Sequence, residues 1–212
     1  MEIVGDGSQQ VLIILDSVLG LPISLNISFS QILERARSFS FEGKEFGAKV
    51  AFHFFQTFLA SNGSRKILEF PHRHAEQITK ANSVFRMHPY QRNIGCGTFR
   101  SLKDLAYDSR WFAVWPFESP DSFPILVAEG YPSYFWRTLL ASKTRHLPTM
   151  SAYLKSHFPE ADVPKGPNHA DAIALVLGGK AALQSGYLEN IDFPPAALIE
   201  GWIFGLPFGK AV

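Results

Sequence analysis

"VLIILDSVLGLP", residues 11–22, is the segment from which the fold class follows. The run from Val11 to Leu15 is short, apolar and rich in β-branched residues, which is typical of a strand buried on both faces of a sheet. Asp16 ends this run, and Gly20 and Pro22 then turn the chain into a loop. Such a strand indicates a parallel or mixed sheet that is covered by helices.

Two further segments have the same character. "PILVAEGYP", residues 124–132, predicts a second buried strand that ends at Glu129 and is stopped by Gly130 and Pro132. "WFAVWPF", residues 111–117, predicts a strand that ends before Pro116. Segments with helical periodicity or capping signals alternate with these strands, at 28–38, 44–60, 133–142, 148–158 and 167–186. We therefore expect an α/β fold with a mixed sheet covered by helices.

The composition limits the class of protein. The chain has 212 residues, of which 46% are hydrophobic, enough for one domain with a substantial core. A single cysteine, Cys96, excludes an internal disulfide framework. No signal peptide and no membrane-spanning run is recognisable. We expect a soluble, cytoplasmic protein with no membrane partner.

Positive charge is concentrated in the middle of the chain. Residues 65–110 carry nine Lys or Arg against four Asp or Glu. Such a region can contact nucleic-acid phosphates, and we assign this role to Arg86, Arg92 and Arg100. A solvated surface on which charges happen to cluster is the alternative. The segment "NIGCGTFRS" within it, residues 93–101, predicts a glycine-rich turn.

Three acids stand where α/β proteins place their ligands. Asp16 and Glu129 end predicted strands, and Asp171 lies in the predicted first turn of a helix capped by Asn168. Carboxylates that converge in a cleft repel one another unless a hard cation such as Mg²⁺ lies between them. Two such ions can activate water and stabilise the leaving oxygen in phosphodiester cleavage. We therefore assign Asp16, Glu129 and Asp171 as candidate metal ligands and catalytic residues.

Each of these acids also has a structural interpretation. Asp16 could hydrogen-bond to the turn that follows it. Glu129 could pair with a nearby arginine or begin the turn after its strand. Asp171 could stabilise the positive end of its helix dipole.

Other polar residues give weaker signals, each with a structural alternative. Cys96 could act as a nucleophile, although a single cysteine is usually inert. His72 and His74 have the spacing of a zinc pair but lack further ligands at a recognisable distance. His169 could assist proton transfer or bind a metal, or simply hydrogen-bond within its own helix start.

The ordered set of motifs resembles the family called domain of unknown function 429, predicted nucleases of the ribonuclease H-like superfamily. The likeness covers about residues 11–30 and 95–205, in the segments "ILDSVLGLP", "VWPF", "LVAEGYPSYF", "NHADAIALVLGGKAAL" and "EGWIFG". The resemblance implies a ribonuclease H-like sheet, Mg²⁺ or Mn²⁺ as cofactor and phosphodiester hydrolysis. It places the metal-binding acids at Asp16, Glu129 and Asp171.

The chain departs from the family pattern in two places. Val18 stands where the family has proline. Only ten residues precede Val11, too few for the further strands of a ribonuclease H-like fold, the first of which carries a metal-binding acid. We therefore expect either an N-terminally truncated domain or one with a degenerate sheet, over residues 1–212, with a helical and basic insertion at about 28–110. A bare sheet edge would favour a homodimer or a longer parent protein.

Two functions follow from these expectations. The first is a metal-dependent nuclease-like protein, with its activity retained or lost. The second is a non-catalytic binding or interaction module on the same scaffold. Carboxyl groups that meet in an open cleft favour the first, whereas acids that are scattered or occupied by arginine favour the second.

Overall fold

A mixed sheet of four strands forms the centre of the protein in the computed structural model, which describes residues 2–5, 8–61, 70–86, 94–107, 111–142, 144–189 and 194–207. The strands are β1 (Glu2–Gly5), β2 (Ser8–Leu15), β3 (Phe112–Trp115) and β4 (Ile125–Glu129), in the order β1-β2-β4-β3. β2, β4 and β3 run parallel to one another, and β1 pairs with β2 in the antiparallel sense. The expected α/β class is confirmed.

Helices account for most of the remaining regular structure. Four of them follow β2, one follows β4 directly, and the others lie further along the chain. Their bounds are α1 (Phe29–Ser38), α2 (Ala48–Ser61), α3 (His74–Thr79), α4 (Ile94–Tyr107), α5 (Pro132–Leu140), α6 (Leu147–His157), α7 (Pro167–Gln184) and α8 (Ala197–Glu200).

The sheet buries both of its faces, because side chains alternate along each strand. Val127 of β4 belongs to a core shared with α1, α2 and α4. Its neighbours Leu126 and Ala128 belong to a second core, which α7 and the segment 197–206 cover. A third cluster joins α5, α6 and α7. This layering explains why the parallel strands are almost wholly apolar.

Helices α1 to α4 occupy the interval between β2 and β3, where we predicted a helical insertion. α1 has Ser28 as its N-cap, which accepts from the backbone N–H of Gln31 in a capping box. α2 begins at Ala48, so Phe46, within the predicted helical segment 44–60, lies before the helix and is exposed, whereas Val50 and Phe54 are buried. Whether the interval is an insertion into a ribonuclease H-like domain stays a prediction.

The predicted turn at residues 93–101 is wrong, because its described part lies within α4. Gly95 and Gly97 are therefore helical despite the cost that glycine carries in a helix. Phe99, Leu102 and Leu105 on the same helix are buried in the core with α1 and α2. Burial of this apolar face outweighs the low helix propensity of the two glycines.

The edge of the sheet is formed by β1, which adds one antiparallel strand before β2. The expected homodimer through this edge stays a prediction. Among the described residues, no helix combines the length and the apolar character that crossing a bilayer requires.

Candidate functional site

The carboxyl ends of β2 and β4 lie side by side, which brings two of the predicted acids together. Leu15 pairs with Glu129 in the parallel ladder, and Asp16 follows immediately after Leu15. The N–H of Gly130 donates to the carbonyl of Leu15 at 2.7 Å. A Cβ at Gly130 would approach side-chain carbons of Ile14 and Leu175 to 2.4 Å, so only glycine allows this close packing. The chain order of the strands thus places Asp16 beside Glu129.

A cleft of about 770 Å³ opens at this edge of the sheet. Asp16 and Glu129 line it, together with Arg73, Glu76 and Arg145. Asp171, on α7, does not line the cleft, but it pairs with Arg145, which does, and its charge acts on Asp16. Two of the three acids predicted from sequence therefore line one cleft, and the third is bound to a residue of its wall.

Glu129 is buried and accepts three hydrogen bonds. Arg73 donates from Nη1 to Oε2 at 2.7 Å and from Nη2 to Oε1 at 2.5 Å. The backbone N–H of Leu19 donates to Oε2 at 2.9 Å. The structural interpretation of Glu129 as the partner of an arginine is confirmed.

Arg73 is the centre of a buried ionic network, with only 1% of its side chain exposed. Besides Glu129, its Nε donates to Glu76 Oε1 at 3.0 Å, and its Nη1 donates to the carbonyl of Glu200 at 3.1 Å. Burial alone would lower the pKa of Arg73, but the carboxylates of Glu129 and Glu76 outweigh it and raise that pKa. The guanidinium therefore stays charged inside the protein.

Asp171 has a different pair of partners. Trp136 Nε1 donates to its Oδ1 at 2.9 Å, and Arg145 Nη1 donates to its Oδ2 at 2.6 Å. The predicted helix start is wrong: Gly166 is the N-cap, Pro167 takes the first helical position that proline favours, and Asp171 lies in the second turn. Asp171 thus binds side chains of neighbouring elements rather than capping its own helix.

Arg145 lies between α5 and α6 and reaches the cleft from the solvent side. Its side chain is 45% exposed. Its Nη2 donates to Ser133 Oγ at 2.9 Å, in addition to the bond with Asp171. Arg145 is therefore held by one carboxylate and one hydroxyl.

Asp16 is exposed at the cleft and, among the described residues, its carboxylate forms neither a hydrogen bond nor an ion pair. The backbone N–H groups of the turn after Asp16 have other acceptors, since Val18 N–H donates to Thr98 Oγ1 and Leu19 N–H donates to Glu129 Oε2. Partial desolvation raises the pKa of Asp16; Arg145 opposes this shift, and Asp171 and Glu129 add to it. Asp16 is thus the cleft acid that faces a ligand directly.

Glu200 is a further buried acid, and its role is structural. Its carboxylate accepts from the backbone N–H groups of Ile23 at 2.6 Å and His74 at 2.7 Å. A Cβ at Gly20 would come within 2.0 Å of the Glu200 carbonyl oxygen, so the loop after β2 packs directly on the Glu200 backbone. Glu200 therefore ties the C-terminal segment to the loop after β2 and to the start of α3.

The described arginines assigned to nucleic acid do not line the cleft, although Asn82, which Arg86 contacts, does. Arg86 is exposed and donates to Asn82 Oδ1 at 2.8 Å. Arg100 lies 3.7 Å from Asp104 and stacks near the ring of Phe46. Arg92 falls outside the described residues. Nucleic-acid binding by these residues stays a prediction.

The weaker candidates contribute little to this cleft. His169 accepts from the backbone N–H of Lys165 at 3.1 Å, which is the local hydrogen bond expected as the alternative. The ring of His74 stacks on Trp202. Cys96 lines the cleft from the first turn of α4. Within the described residues, no three His, Cys, Asp or Glu side chains are grouped so that they could hold a metal ion.

A divalent metal centre does not fit the acids as they are arranged. Both oxygens of Glu129 accept from Arg73, and the two oxygens of Asp171 accept from Trp136 and Arg145. Mg²⁺ and Mn²⁺ need carboxylate oxygens with free lone pairs directed at the ion. Among these three acids, only Asp16 has oxygens that accept no hydrogen bond from a described residue, and one carboxylate does not make a two-metal site. We derive no reaction step through a metal, and the Mg²⁺ or Mn²⁺ cofactor stays a prediction.

Sequence reasoning missed Arg73 and Glu76, the residues that determine the state of Glu129. The signal was present as an arginine followed three residues later by a glutamate, the spacing between the N-cap and the third residue of a helix, which these residues have at the start of α3. The pairing of Arg145 with Asp171 joins residues 26 positions apart and cannot be derived from local spacing.

Comparison of the chain with protein-family models, with curated proteins and with solved structures found no match.

Proposed function

We propose that this chain is a non-catalytic binding module on a ribonuclease H-like scaffold, and that its ligand enters the cleft beside Asp16. The observation that carries this proposal is the occupation of Glu129 and Asp171 by Arg73 and Arg145. Every oxygen of these two carboxylates already accepts a hydrogen bond, so a catalytic ion or an activated water would have to displace an arginine or compete with it. The same contacts hold the wall of the cleft in place.

The charge of the cleft indicates what kind of ligand suits it. Four carboxylates, those of Asp16, Glu76, Glu129 and Asp171, surround two guanidinium groups. This excess of negative charge repels a phosphate backbone and favours a ligand that presents a cationic group. Because Asp16 alone has unoccupied oxygens among these acids, it is the expected contact of that group.

The proposal is tested by NMR titration of the full chain with spermidine and, separately, with inorganic phosphate. We expect spermidine to shift the backbone amide signals of Asp16 and Gly130, and Asp16→Asn to abolish that response. Glu34→Gln, a change at an exposed acid on α1, is the matched control and should leave it intact. A response to phosphate at these amides, with none to spermidine, would contradict the proposed ligand chemistry.

A metal-dependent nuclease is the second candidate, and it is supported by Asp16 and Glu129 lining one cleft, with Asp171 bound to Arg145 of the same cleft. It requires cleavage of a mixed nucleic-acid substrate by the wild-type protein in Mn²⁺. Asp171→Asn would then abolish cleavage while circular dichroism shows the fold unchanged. Cleavage that depends on Asp171 would replace the binding-module proposal. A wild-type protein that cleaves no substrate would support the binding module.

A further inference from the structure

We infer that Arg73 and Arg145 supply the positive charge that the resemblance assigns to divalent metal ions, so that this acidic edge holds together without metal. The inference rests on the proposed function and extends it, because it states which residues replace the metal and how they differ. It also accounts for three neighbouring acids of which two, Glu129 and Asp171, are already paired with arginines.

Arg73 fills its half of the site permanently. Its guanidinium meets the carboxylate of Glu129 through two parallel N–H···O bonds, the fork arrangement that makes such pairs strong. Glu76 and the Glu200 carbonyl accept its other hydrogen bonds. An ion at Glu129 would have to expel a guanidinium that is 99% buried and leave these acceptors without a donor. Glu129 is therefore closed to metal.

Arg145 fills the other half in an exchangeable way. It binds one oxygen of Asp171 and also acts on the charge of Asp16, so its guanidinium lies where a cation would balance both acids. Nearly half of its side chain is exposed, so it can leave without opening the core. Trp136 would still hold the other oxygen of Asp171. Removing the charge of Arg145 leaves Asp16 and Asp171 facing the cleft without a counter-ion.

Charge balance makes arginines and metal ions alternatives at this site. The four carboxylates and two guanidinium groups around the cleft sum to a formal charge of −2. Two divalent ions added to the same set would reverse that charge, at close range and in a partly desolvated cleft. A cation gains access only when an arginine charge is removed, and Arg145 is the one that can be removed.

The test is isothermal titration of MnCl₂ into three full-length proteins: wild type, Arg145→Ala, and the double variant Arg145→Ala with Asp16→Asn. We expect no saturable Mn²⁺ binding to the wild type through the millimolar range. Loss of one positive charge at the site should tighten Mn²⁺ binding by at least about tenfold in Arg145→Ala. The double variant should return to the wild-type response. Arg145→Gln, which keeps hydrogen-bond donors but no charge, replaces Arg145→Ala if the latter loses its native circular dichroism spectrum.

Two results would overturn the inference. One is a wild type that binds Mn²⁺ as tightly as the Arg145 variant, which would show that arginine does not occupy a cation's place. The other is an Arg145 variant that gains no affinity for Mn²⁺. Failure of the proposed function can be distinguished from failure of this inference. If the wild-type protein cleaves nucleic acid but shows no Mn²⁺ binding, the binding module is rejected and the inference on the arginines stands.

Discussion

The Arg73–Glu129 pair and the Arg145–Asp171 pair neutralise two acids of one cleft in opposite ways. In the first pair, both side chains are buried and joined by two hydrogen bonds, with 1% and 4% of their surfaces exposed. In the second pair, one hydrogen bond links a 45% exposed arginine to a carboxylate that a tryptophan also holds. The difference shows that similar ion pairs can serve as a fixed part of the core and as an exchangeable contact at the rim.

Arg73→Met should have the strongest effect, because it leaves Glu129 and Glu76 buried with no cation. Breaking a buried pair by removing one partner costs about 3–5 kcal/mol. Urea denaturation followed by circular dichroism measures this loss of unfolding free energy. The double variant Arg73→Met with Glu129→Gln should recover part of it, since one uncompensated charge is then removed. A loss below about 1 kcal/mol would show that the pair is not a fixed part of the core.

Asp171→Ala should come next, because it leaves the buried indole N–H of Trp136 without its acceptor. An unsatisfied buried donor costs about 1–3 kcal/mol. Asp171→Asn retains an oxygen for Trp136 and is the matched control, with a smaller expected loss. Equal losses in the two variants would mean that the ion pair with Arg145, and not the hydrogen bond from Trp136, is the stabilising contact.

Arg145→Ala should change stability by no more than about 1 kcal/mol, the range of partly exposed ion pairs. The small loss should shrink further in high salt, since salt screens exposed charges. Urea denaturation at low and high salt tests both statements. A loss as large as that of Arg73→Met, and independent of salt, would remove the distinction between the two pairs.

Asp16→Asn should have the smallest effect and the opposite sign. Because the folded-state pKa of Asp16 is raised, its charged form is disfavoured by folding at pH values above that pKa. The folded protein therefore gains stability as pH falls through the folded pKa, and the asparagine variant should be slightly more stable than wild type at neutral pH. We expect a few tenths of a kcal/mol, since water screens an exposed group. Thermal unfolding at neutral and acidic pH measures this difference in stability. The greater stability of the asparagine variant should vanish in acid. A variant less stable than wild type at neutral pH would show that Asp16 has a stabilising partner.

The parallel strands could be predicted from sequence because short apolar runs rich in β-branched residues are typical of buried strands. β2 and β4 were placed within three residues of their observed bounds. The positions of Asp16 and Glu129 followed, since strands that run in parallel end at the same edge of the sheet.

The remainder of the site depends on contacts between distant parts of the chain. Arg73 and Glu129 are 56 residues apart, and the segment that carries Arg73 showed only a polar and basic composition. The first half of α4 was missed for a related reason: its glycines argue against a helix locally, and burial of Phe99 and its neighbours stabilises it. Local patterns located the acids but not the arginines that determine their chemistry.

Whether arginines or metal ions neutralise the acidic edge is tested most directly by crystals of the wild-type protein soaked in MnCl₂ and measured at the manganese absorption edge. We predict no anomalous peak within bonding distance of Glu129 or Asp171, with the side chains of Arg73 and Arg145 on those carboxylates. A peak shared by Asp16 and Asp171 or Glu129, with an arginine displaced, would contradict this account.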